Sequence, residues 1–535
     1  MITSAPSSAP SPIGAARALA SRLNAGSAIG ALLLVLAWSV LPGCKTGPDH
    51  RPPGVEVPAS FHGGGSEAAT AVNSGEAGPP PVVLSHWWRV FDDPTLDALI
   101  GEAIEANLDV RVAQARVREA RAQRGAVRST LFPGVDATGS ATRARLSGNS
   151  ILGRPIEAAG GDLDQNLFEA ALDMSWEIDV FGGRRRSVES AQAEWEAAVE
   201  GGREVLITML AEVGWNYLEF RGARQQEIVA RRNLAAQEQT TLLTRDRFQA
   251  GLASELDVAR AEAQAASTRA QVPPLEEAGR RAIHRLSVLL GQPPGTWSVP
   301  GDAESGVPSG APGVPIGLPS DLLLRRPDIR RAEREVAAAS ARIGVATAEY
   351  FPRFFLTGIA GLQSLEAEDF VDAGSRFWSL GPSVRWPIFN AGRIRQQVRV
   401  ENARHEQAVL HYEQVVLTSL EEVENALVGF GREQERRRAL GEAEAATRRA
   451  SVLANERYRG GLVDFLDVLD AERSLLAVQD DLAQSDRRLG QQLVRLYKAL
   501  GGGWETGSAT LEPGTVPSPA ATRVSQGPLI SNSKL

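Results

Sequence analysis

The chain carries one helix-turn-helix segment twice, and this duplication most constrains how it can fold. The residues RFQAGLASELDVARAE begin at Arg247, and the similar residues RYRGGLVDFLDVLDAE begin at Arg457, so the copies lie 210 residues apart (457 minus 247). The same offset relates the LLG ending at Gly291 to the ALG ending at Gly501. Because the offset holds across whole helical segments, the sequence predicts two copies of one unit that together build one architecture.

Each copy contains a long stretch without proline, residues 185–250 and 393–459. A helix of about 65 residues is on the order of 100 Å long at about 1.5 Å per residue, which is deeper than any globular core. Such helices must pack side by side as a coiled coil or a tube. With the return helix that follows each turn, the sequence predicts helical hairpins over 185–290 and 393–500.

The first return helix contains Pro273 and Pro274. A proline removes a hydrogen-bond donor and clashes with the preceding turn, so the pair is predicted to bend this helix. The second return helix has no such pair, and the two halves are therefore expected to be similar but not identical.

Amphipathic strands precede each hairpin. Apolar and polar residues alternate strictly from Phe168 to Val180, and a second alternating run covers Phe377–Phe389. This period of two is typical of a strand with two different faces. A weaker candidate precedes each run. The predicted strands lie near residues 134–146, 168–181, 353–364 and 377–389.

The outward faces of these strands carry Trp176, Trp378 and Trp386, residues typical of a membrane interface. Four strands cannot close a membrane barrel, and open strand edges in lipid are costly. Three chains would supply twelve strands and remove the edges. The alternative is a soluble β-sandwich with appended helices, but it leaves the strand pairs isolated by long sequence gaps.

The N-terminus has the pattern of a secretory signal. Arg17 and Arg22 precede an apolar stretch at residues 28–41, which is too short to cross a membrane. The LPGC that ends at Cys44 resembles a bacterial lipobox, so residues 1–43 are predicted to be removed and Cys44 to carry a covalent lipid. A plain cleaved signal or an uncleaved anchor is the alternative.

The remaining segments follow from composition. The Pro- and Gly-rich residues 44–81 are predicted to form an extended tether. The first repeat then spans 82–291, and the second spans 320–505. Residues 292–319 are predicted to be a linker, and 506–535 a disordered tail.

Composition argues against several classes of function. A net charge of −8 and the absence of a basic patch argue against nucleic-acid binding. Cys44 is the only cysteine, so neither an intrachain disulfide nor a cysteine metal site is possible. The six histidines are scattered, and no catalytic motif is present. We therefore predict no enzyme, no catalytic residue, no metal and no cofactor other than the lipid.

Several segments together resemble one family. They are LPSDLLLRRPDIRRAEREVAAASARIGVATAEYFPRFFLTG from Leu318, WPIFNAGRIRQQV, WEIDVFGGRRRSVESA and RYRGGLVDFLDVLDAERSLL. These are similar to segments of the TolC-type outer-membrane factors, and most of all to their NodT-like lipoprotein branch. The resemblance implies a mainly α protein with membrane β structure. It forms a homotrimer with a 12-stranded β-barrel, a periplasmic α-barrel and an equatorial domain.

The resemblance also implies roles for residues at the second turn. Asp467 and Asp470 are i, i+3 neighbours on one helix face, and the matching family positions form acidic rings that gate the periplasmic mouth. Tyr458 matches a position that ties the tips together, and Asp257 matches its partner. Stabilisation of the helix N-terminus is the alternative role for the two aspartates.

The hairpin tips are implied to contact a periplasmic adaptor protein through Gly251, Leu252, Gly461 and Leu462. A purely structural requirement for glycine in a tight turn is the alternative, and both roles can coexist.

The family implies a passive exit duct in the outer membrane, working with an adaptor and an inner-membrane resistance-nodulation-division pump to export small molecules. Lys45, rather than an aspartate, follows the cysteine, which points to the outer membrane. The alternatives are the outer-membrane component of a type I protein secretion system and a non-conducting envelope scaffold.

Overall fold

The structure, a computed structural model, describes residues 45–62, 84–299, 306–308 and 319–506. The predicted signal peptide, Cys44, the second part of the tether, most of the linker and nearly all of the tail lie outside these residues. The described chain forms two compact units. Unit 1 takes residues 45–51, 123–192 and 337–406, and unit 2 takes the remainder.

The helices in chain order are α1 Pro94–Ala106, α2 Leu108–Ser129, α3 Gly153–Ala158, α4 Gly183–Gln249, α5 Glu255–Leu289, α6 Pro319–Arg325, α7 Pro327–Ala348, α8 Arg393–Arg459 and α9 Phe465–Ala499. The strands are β1 Gly134–Arg145, β2 Asp164–Ile178, β3 Arg353–Ser364 and β4 Arg376–Arg385. Short 3-10 helices lie at Trp87–Phe91 and Ala373–Ser375.

The duplication extends to the lengths of the elements. Helices α4 and α8 have 67 residues each, and α5 and α9 have 35 each. Both pairs begin and end 210 residues apart, as in 183 and 393. Helices α2 and α7 and strands β1 and β3 are instead offset by 219 residues, as in 108 and 327. The nine-residue difference therefore lies between the two strands of each pair.

The four strands form one antiparallel sheet in the order β1-β2-β3-β4. Directly paired residues share a face, and the register places Val135, Met174, Gly358 and Leu380 in one row across the sheet. The adjacent row, on the opposite face, contains Gly134, Ser175, Thr357 and Gly381. The pairing thus gathers the apolar positions of all four strands on one face.

The ends of two strands differ from the prediction. Strand β2 begins at Asp164, four residues earlier than expected, and β4 ends at Arg385, four residues earlier than expected. Pro387 follows closely, and a proline has no N–H with which to continue the ladder. Helix α5 continues through Pro273 and Pro274 to Leu289, so the proline pair does not divide it.

The main apolar core lies in unit 2. Trp87 is fully buried and stacks on Tyr497, with their ring centroids 5.6 Å apart. Asp93 caps helix α1 by accepting from the Thr95 N–H, and it also accepts from the Tyr217 hydroxyl at 2.7 Å. Burial and this bond raise the pKa of Tyr217. The core and its cap together fix the start of the first repeat.

The tether predicted for residues 44–81 is wrong for its first part. In unit 1, Arg186 is 1% exposed, and its Nε and Nη2 donate to the carbonyls of Thr46 and Gly47 at 3.0 and 3.2 Å. The same guanidinium pairs with Asp49 and Glu189. A buried cation without these acceptors would be costly, so Arg186 holds residues 46–49 in place.

Residues 52–62 are also packed, in unit 2. Val55, Val57 and Phe61 pack against the apolar core, and the His62 N–H donates to Glu424 at 2.8 Å. The Pro- and Gly-rich composition of this segment concealed the spaced apolar residues that dock it.

We expect Arg186→Ala to release the segment, because the carbonyls of Thr46 and Gly47 would lose their donor. Removal of a buried charged partner costs about 3–5 kcal/mol. Cleavage before Asp49 by an aspartate-specific endoproteinase, followed by mass spectrometry, should be faster than in the wild type. In the control Lys45→Ala, which removes a half-exposed pair with Glu189, cleavage should be nearly unchanged. Equal rates for Arg186→Ala and the wild type would contradict this role.

Candidate functional site: the hairpin tips

The two repeated turns have the same backbone geometry. The Leu252 N–H donates to the Arg247 carbonyl at 2.8 Å, and Leu462 makes the equivalent bond at 2.9 Å. Gly251 and Gly461 have φ values of +72° and +73°. This is the Schellman arrangement, in which the left-handed residue is best a glycine. The turn itself therefore requires both glycines.

The leucines that follow these glycines have no comparable structural role. Leu252 is 68% exposed and Leu462 is 75% exposed. A Schellman turn is often accompanied by an apolar contact from this position, but here both side chains project into solvent in the single chain. They are therefore available to a partner.

Tyr458 is the centre of the contact between the two hairpins. Its ring is buried, and the Arg247 guanidinium lies 4.5 Å from the ring centroid. Arg247 Nη1 also donates to the Tyr458 carbonyl at 2.7 Å. The Tyr458 hydroxyl lies 3.5 Å from Thr244 Oγ1, and Phe465 packs edge-on at 5.8 Å. A cation–π contact and a charged hydrogen bond thus join the first hairpin to the second.

The structure places Asp257 elsewhere than beside Tyr458. Asp257 forms a capping box with Ser254, whose hydroxyl donates to Asp257 Oδ2 at 2.7 Å. Its other oxygen lies 3.9 Å from Arg260. The predicted pairing of Asp257 with Tyr458 is therefore not made within this chain, because the helix N-terminus already occupies the carboxylate. Arg247 and Thr244 take that place.

The second hairpin presents a row of free carboxylates. Asp464, Asp467 and Asp470 follow at i, i+3 and i+6 and are exposed. Asp464 is the N-cap residue of α9 but makes no side-chain capping bond. Within the described residues, none of the three side chains makes a hydrogen bond or ion pair. Repulsion between them is therefore uncompensated in the single chain.

Sequence reasoning missed two members of this site, Asp464 and Arg247. Asp464 could have been found from its i, i+3 spacing to Asp467. Arg247 opens the repeated motif, but its twin Arg457 is also an arginine, so comparison of the copies could not reveal that only Arg247 contacts the other hairpin.

Glu472 joins three helices one layer farther from the turn. Its Oε1 accepts from Thr240 Oγ1 on α4 at 3.0 Å and from Asn455 Nδ2 on α8 at 3.3 Å. Burial raises the pKa of Glu472, and these two hydrogen bonds oppose the shift. No cation pairs with it within the described chain. Arg473, next in sequence, donates instead to Gln264 on α5 at 2.6 Å.

Further polar bonds connect the hairpins along their length. Gln226 Nε2 donates to Asp480 at 2.7 Å, and Asn233 Nδ2 donates to Gln479 at 2.9 Å. Gln237 is buried between these layers, with no hydrogen-bond partner for its amide atoms in the described structure. The contact between hairpins is therefore largely polar, and the charge state of a buried group such as Glu472 affects it.

The predicted interface tryptophans lie in unit 1. Trp176 Nε1 donates to the Leu131 carbonyl at 3.0 Å, and Trp386 Nε1 donates to the Tyr350 carbonyl at 3.1 Å. These pairs are repeat equivalents, and each ties a strand to the turn before its neighbour. Trp378 is exposed. Each side chain offers apolar area, and in two of them the indole N–H is already satisfied.

Other kinds of site receive no support in the part of the chain that the structure describes. No group of three or more His, Cys, Asp or Glu side chains there is placed to hold a metal ion. No helix there has the length and apolar character needed to span a membrane.

The antiparallel sheet and the paired long helices define the class of TolC-like outer-membrane channels. A profile of the Outer membrane efflux protein family matches residues 99–292 and 318–502. The chain belongs to this family and is an outer-membrane efflux protein. This confirms the resemblance, the fold class and the localisation predicted from the sequence.

Individual proteins agree with this assignment. Nodulation protein T of Rhizobium leguminosarum bv. trifolii is 31% identical over 465 residues, covering 87% of this chain and 96% of that protein. Toluene efflux pump outer membrane protein TtgF of Pseudomonas putida is 34% identical over 480 residues, covering 88% and 97%. The solved outer-membrane channel OprN is 38% identical, with a TM-score of 0.78 and coverage of 86% of this chain and 100% of that one.

We expect the contact between hairpins to weaken as pH rises, because the pKa of Glu472 is raised above its ordinary value of 4.5. The contribution of its neutral form is complete below pH 4.5 and is lost as pH rises through the raised pKa. Hydrogen exchange of the amides around Thr240 and Asn455, corrected for intrinsic rates, should therefore increase over this range. Glu472→Gln should abolish the dependence.

Glu456→Gln is the matched control, since Glu456 is an exposed carboxylate on α8. It should retain the wild-type pH profile. If the wild type and Glu472→Gln have parallel profiles, Glu472 does not titrate in this range.

Proposed function

We propose that the protein is the outer-membrane exit duct of a tripartite efflux pump. It passively conducts drugs or other small molecules that an inner-membrane resistance-nodulation-division pump delivers through a periplasmic adaptor. The observation that carries the proposal is the combination, in one Outer membrane efflux protein, of a one-sided apolar sheet and helical hairpins with unpaired carboxylates at one tip.

The conducting form is a homotrimer. Strands β1 and β4 are the two edges of the sheet, and every residue of β1 is exposed in the single chain. In lipid, the free N–H and C=O groups of these edges would each cost several kcal/mol. Three chains joined edge to edge close a barrel of twelve strands, and the helical hairpins of unit 2 form the periplasmic duct.

The periplasmic mouth is gated by the second hairpin. Threefold symmetry turns Asp467 and Asp470 into acidic rings, which favour cations and resist the approach of anions. Asp464 adds a third carboxylate to the row. The free state of these side chains supports a role in the pore, since the helix N-terminus does not use the Asp464 side chain.

A lipid on Cys44 anchors each chain to the outer membrane. Support comes from the position of the next residues. Segment 45–51 is packed in unit 1, which also contains the sheet, and Lys45 pairs there with Glu189 at 3.3 Å. An acyl chain attached just before Lys45 would enter the same membrane as the strands.

Small-molecule export is favoured over type I protein secretion by the names of the relatives. Pyoverdine export outer membrane protein OpmQ of Pseudomonas aeruginosa is 35% identical over 428 residues, and TtgF is a toluene efflux component. A non-conducting scaffold would have no need of a row of free carboxylates at a hairpin tip. The adaptor contacts are assigned to the tips at Gly251, Leu252, Gly461 and Leu462, where both leucines are exposed.

Purified trimers in planar bilayers should conduct, and Asp467→Asn combined with Asp470→Asn should raise the conductance and weaken block by trivalent cations. Loss of the rings removes both the mutual attraction for bridging cations and the binding site of the blocker. Asp246→Asn, an exposed carboxylate near the first tip, should leave both properties unchanged. Unaltered block in the double variant would sink the gate assignment, and absence of conductance in every variant would sink the duct.

Deletion of the gene should sensitise cells to some toxic compounds, measured as lower minimal inhibitory concentrations. Cys44→Ala should lose incorporation of a labelled fatty acid while trimers still assemble, because the sheet edges rather than the lipid drive association. If Cys44→Ala is labelled like the wild type, the lipid is not on this residue.

A further inference from the structure

The two hairpins use the same sequence motif differently. Arg247 of the first hairpin is committed to Tyr458 of the second. The repeat equivalents of this pair, at an offset of 210 residues, are Arg457 and Phe248. Arg457 is exposed and makes no side-chain hydrogen bond or ion pair within the described chain. Phe248 is 42% exposed. One half of a duplicated contact is thus made, and the components of the other half lie unused.

The neighbouring apolar residue follows the same rule. Leu243 packs against the cluster of Tyr458 and Phe465. Its equivalent in the second hairpin, Leu453, is 58% exposed. Leu453 precedes Arg457 by one helical turn, as Leu243 precedes Arg247, so the two free side chains lie on one face of α8.

The acceptor is also duplicated. The Tyr458 carbonyl accepts from the Gly461 N–H at 3.0 Å and from Arg247. The Phe248 carbonyl accepts from the Gly251 N–H at 2.9 Å. A carbonyl oxygen has two lone pairs, so the Phe248 carbonyl can accept a second bond from an arginine as its twin does.

The hydroxyl groups provide an independent argument. In the existing contact, the Tyr458 hydroxyl faces the Thr244 hydroxyl. In the other set, Phe248 replaces the tyrosine and Ala454 replaces the threonine. A hydroxyl left alone at a buried contact would be costly, whereas loss of both partners can be nearly neutral. The paired loss is expected if Phe248 and Ala454 face each other in an assembled state.

We propose that Arg457 of one chain clamps Phe248 of a neighbouring copy, with Leu453 beside it, in the way that Arg247 clamps Tyr458 within a chain. This inference rests on the proposed homotrimer, which it deepens. Each hairpin then donates an arginine to the next, and such head-to-tail contacts close into a ring. Three chains give six hairpins, joined alternately by clamps within and between chains.

The two kinds of clamp differ in strength. The clamp between chains lacks the hydroxyl pair, although it retains the guanidinium over an aromatic ring and the bond to a carbonyl. The ring therefore separates first between chains, which leaves each pair of hairpins intact as a rigid body.

The test is cross-linking of Phe248→Cys combined with Arg457→Cys in the full-length lipidated protein. Cys44 is the only native cysteine, and lipidation would remove its thiol. A short bis-maleimide should convert the double variant into a covalent trimer on a denaturing gel. The matched control is Arg247→Cys combined with Tyr458→Cys, which should link within one chain and migrate as a monomer. Each single variant should remain monomeric on the gel.

Native mass spectrometry of the same samples separates the possible failures. Trimers that do not cross-link through this pair, while the control pair links, overturn the clamp and leave the duct intact. Absence of trimers overturns the proposed function together with the clamp. Linkage that appears only to an added adaptor protein assigns Arg457 and Phe248 to that partner and also overturns the proposal.

Discussion

The hydrogen-bonding requirement of strand edges is the constraint on which the rest of the structure depends. One chain provides four strands, and their register collects apolar side chains on one face. A sheet with an apolar face belongs in lipid, but its two edges cannot remain open there. The chain must therefore associate with copies of itself, and every other element has to be compatible with a ring. The paired hairpins meet this demand because each copy of the motif offers the same surface to the next.

Much of this architecture could be predicted from the sequence, because the signals were periodic and long. Strict alternation located strands β2 and β4, and Pro-free stretches located α4 and α8. The 210-residue offset was read from the turns alone. The packing of residues 45–62 could not be predicted, because it depends on the buried guanidinium of Arg186, which is distant in sequence.

At the tip, sequence reasoning identified Tyr458, Asp467 and Asp470 but assigned Asp257 to the wrong contact. A carboxylate three residues after a serine has a local use in a capping box, and this local bond prevailed over the partnership implied by the family. The contact that the chain makes, between Arg247 and Tyr458, depends on which face of each long helix meets the other. That rotation is determined by packing and cannot be read from one motif.

Helices α4 and α8 have the same length, 67 residues, whereas the connections within the strand pairs differ by nine residues. A residue lost from one helix would rotate everything beyond it by about 100° and shift it by about 1.5 Å. Arg247 would then no longer face Tyr458. The helices thus act as matched rulers whose lengths can change only together. The segments between the strands carry no such measurement, so variation in length, and with it any change in what the protein presents beyond the membrane, is confined to them.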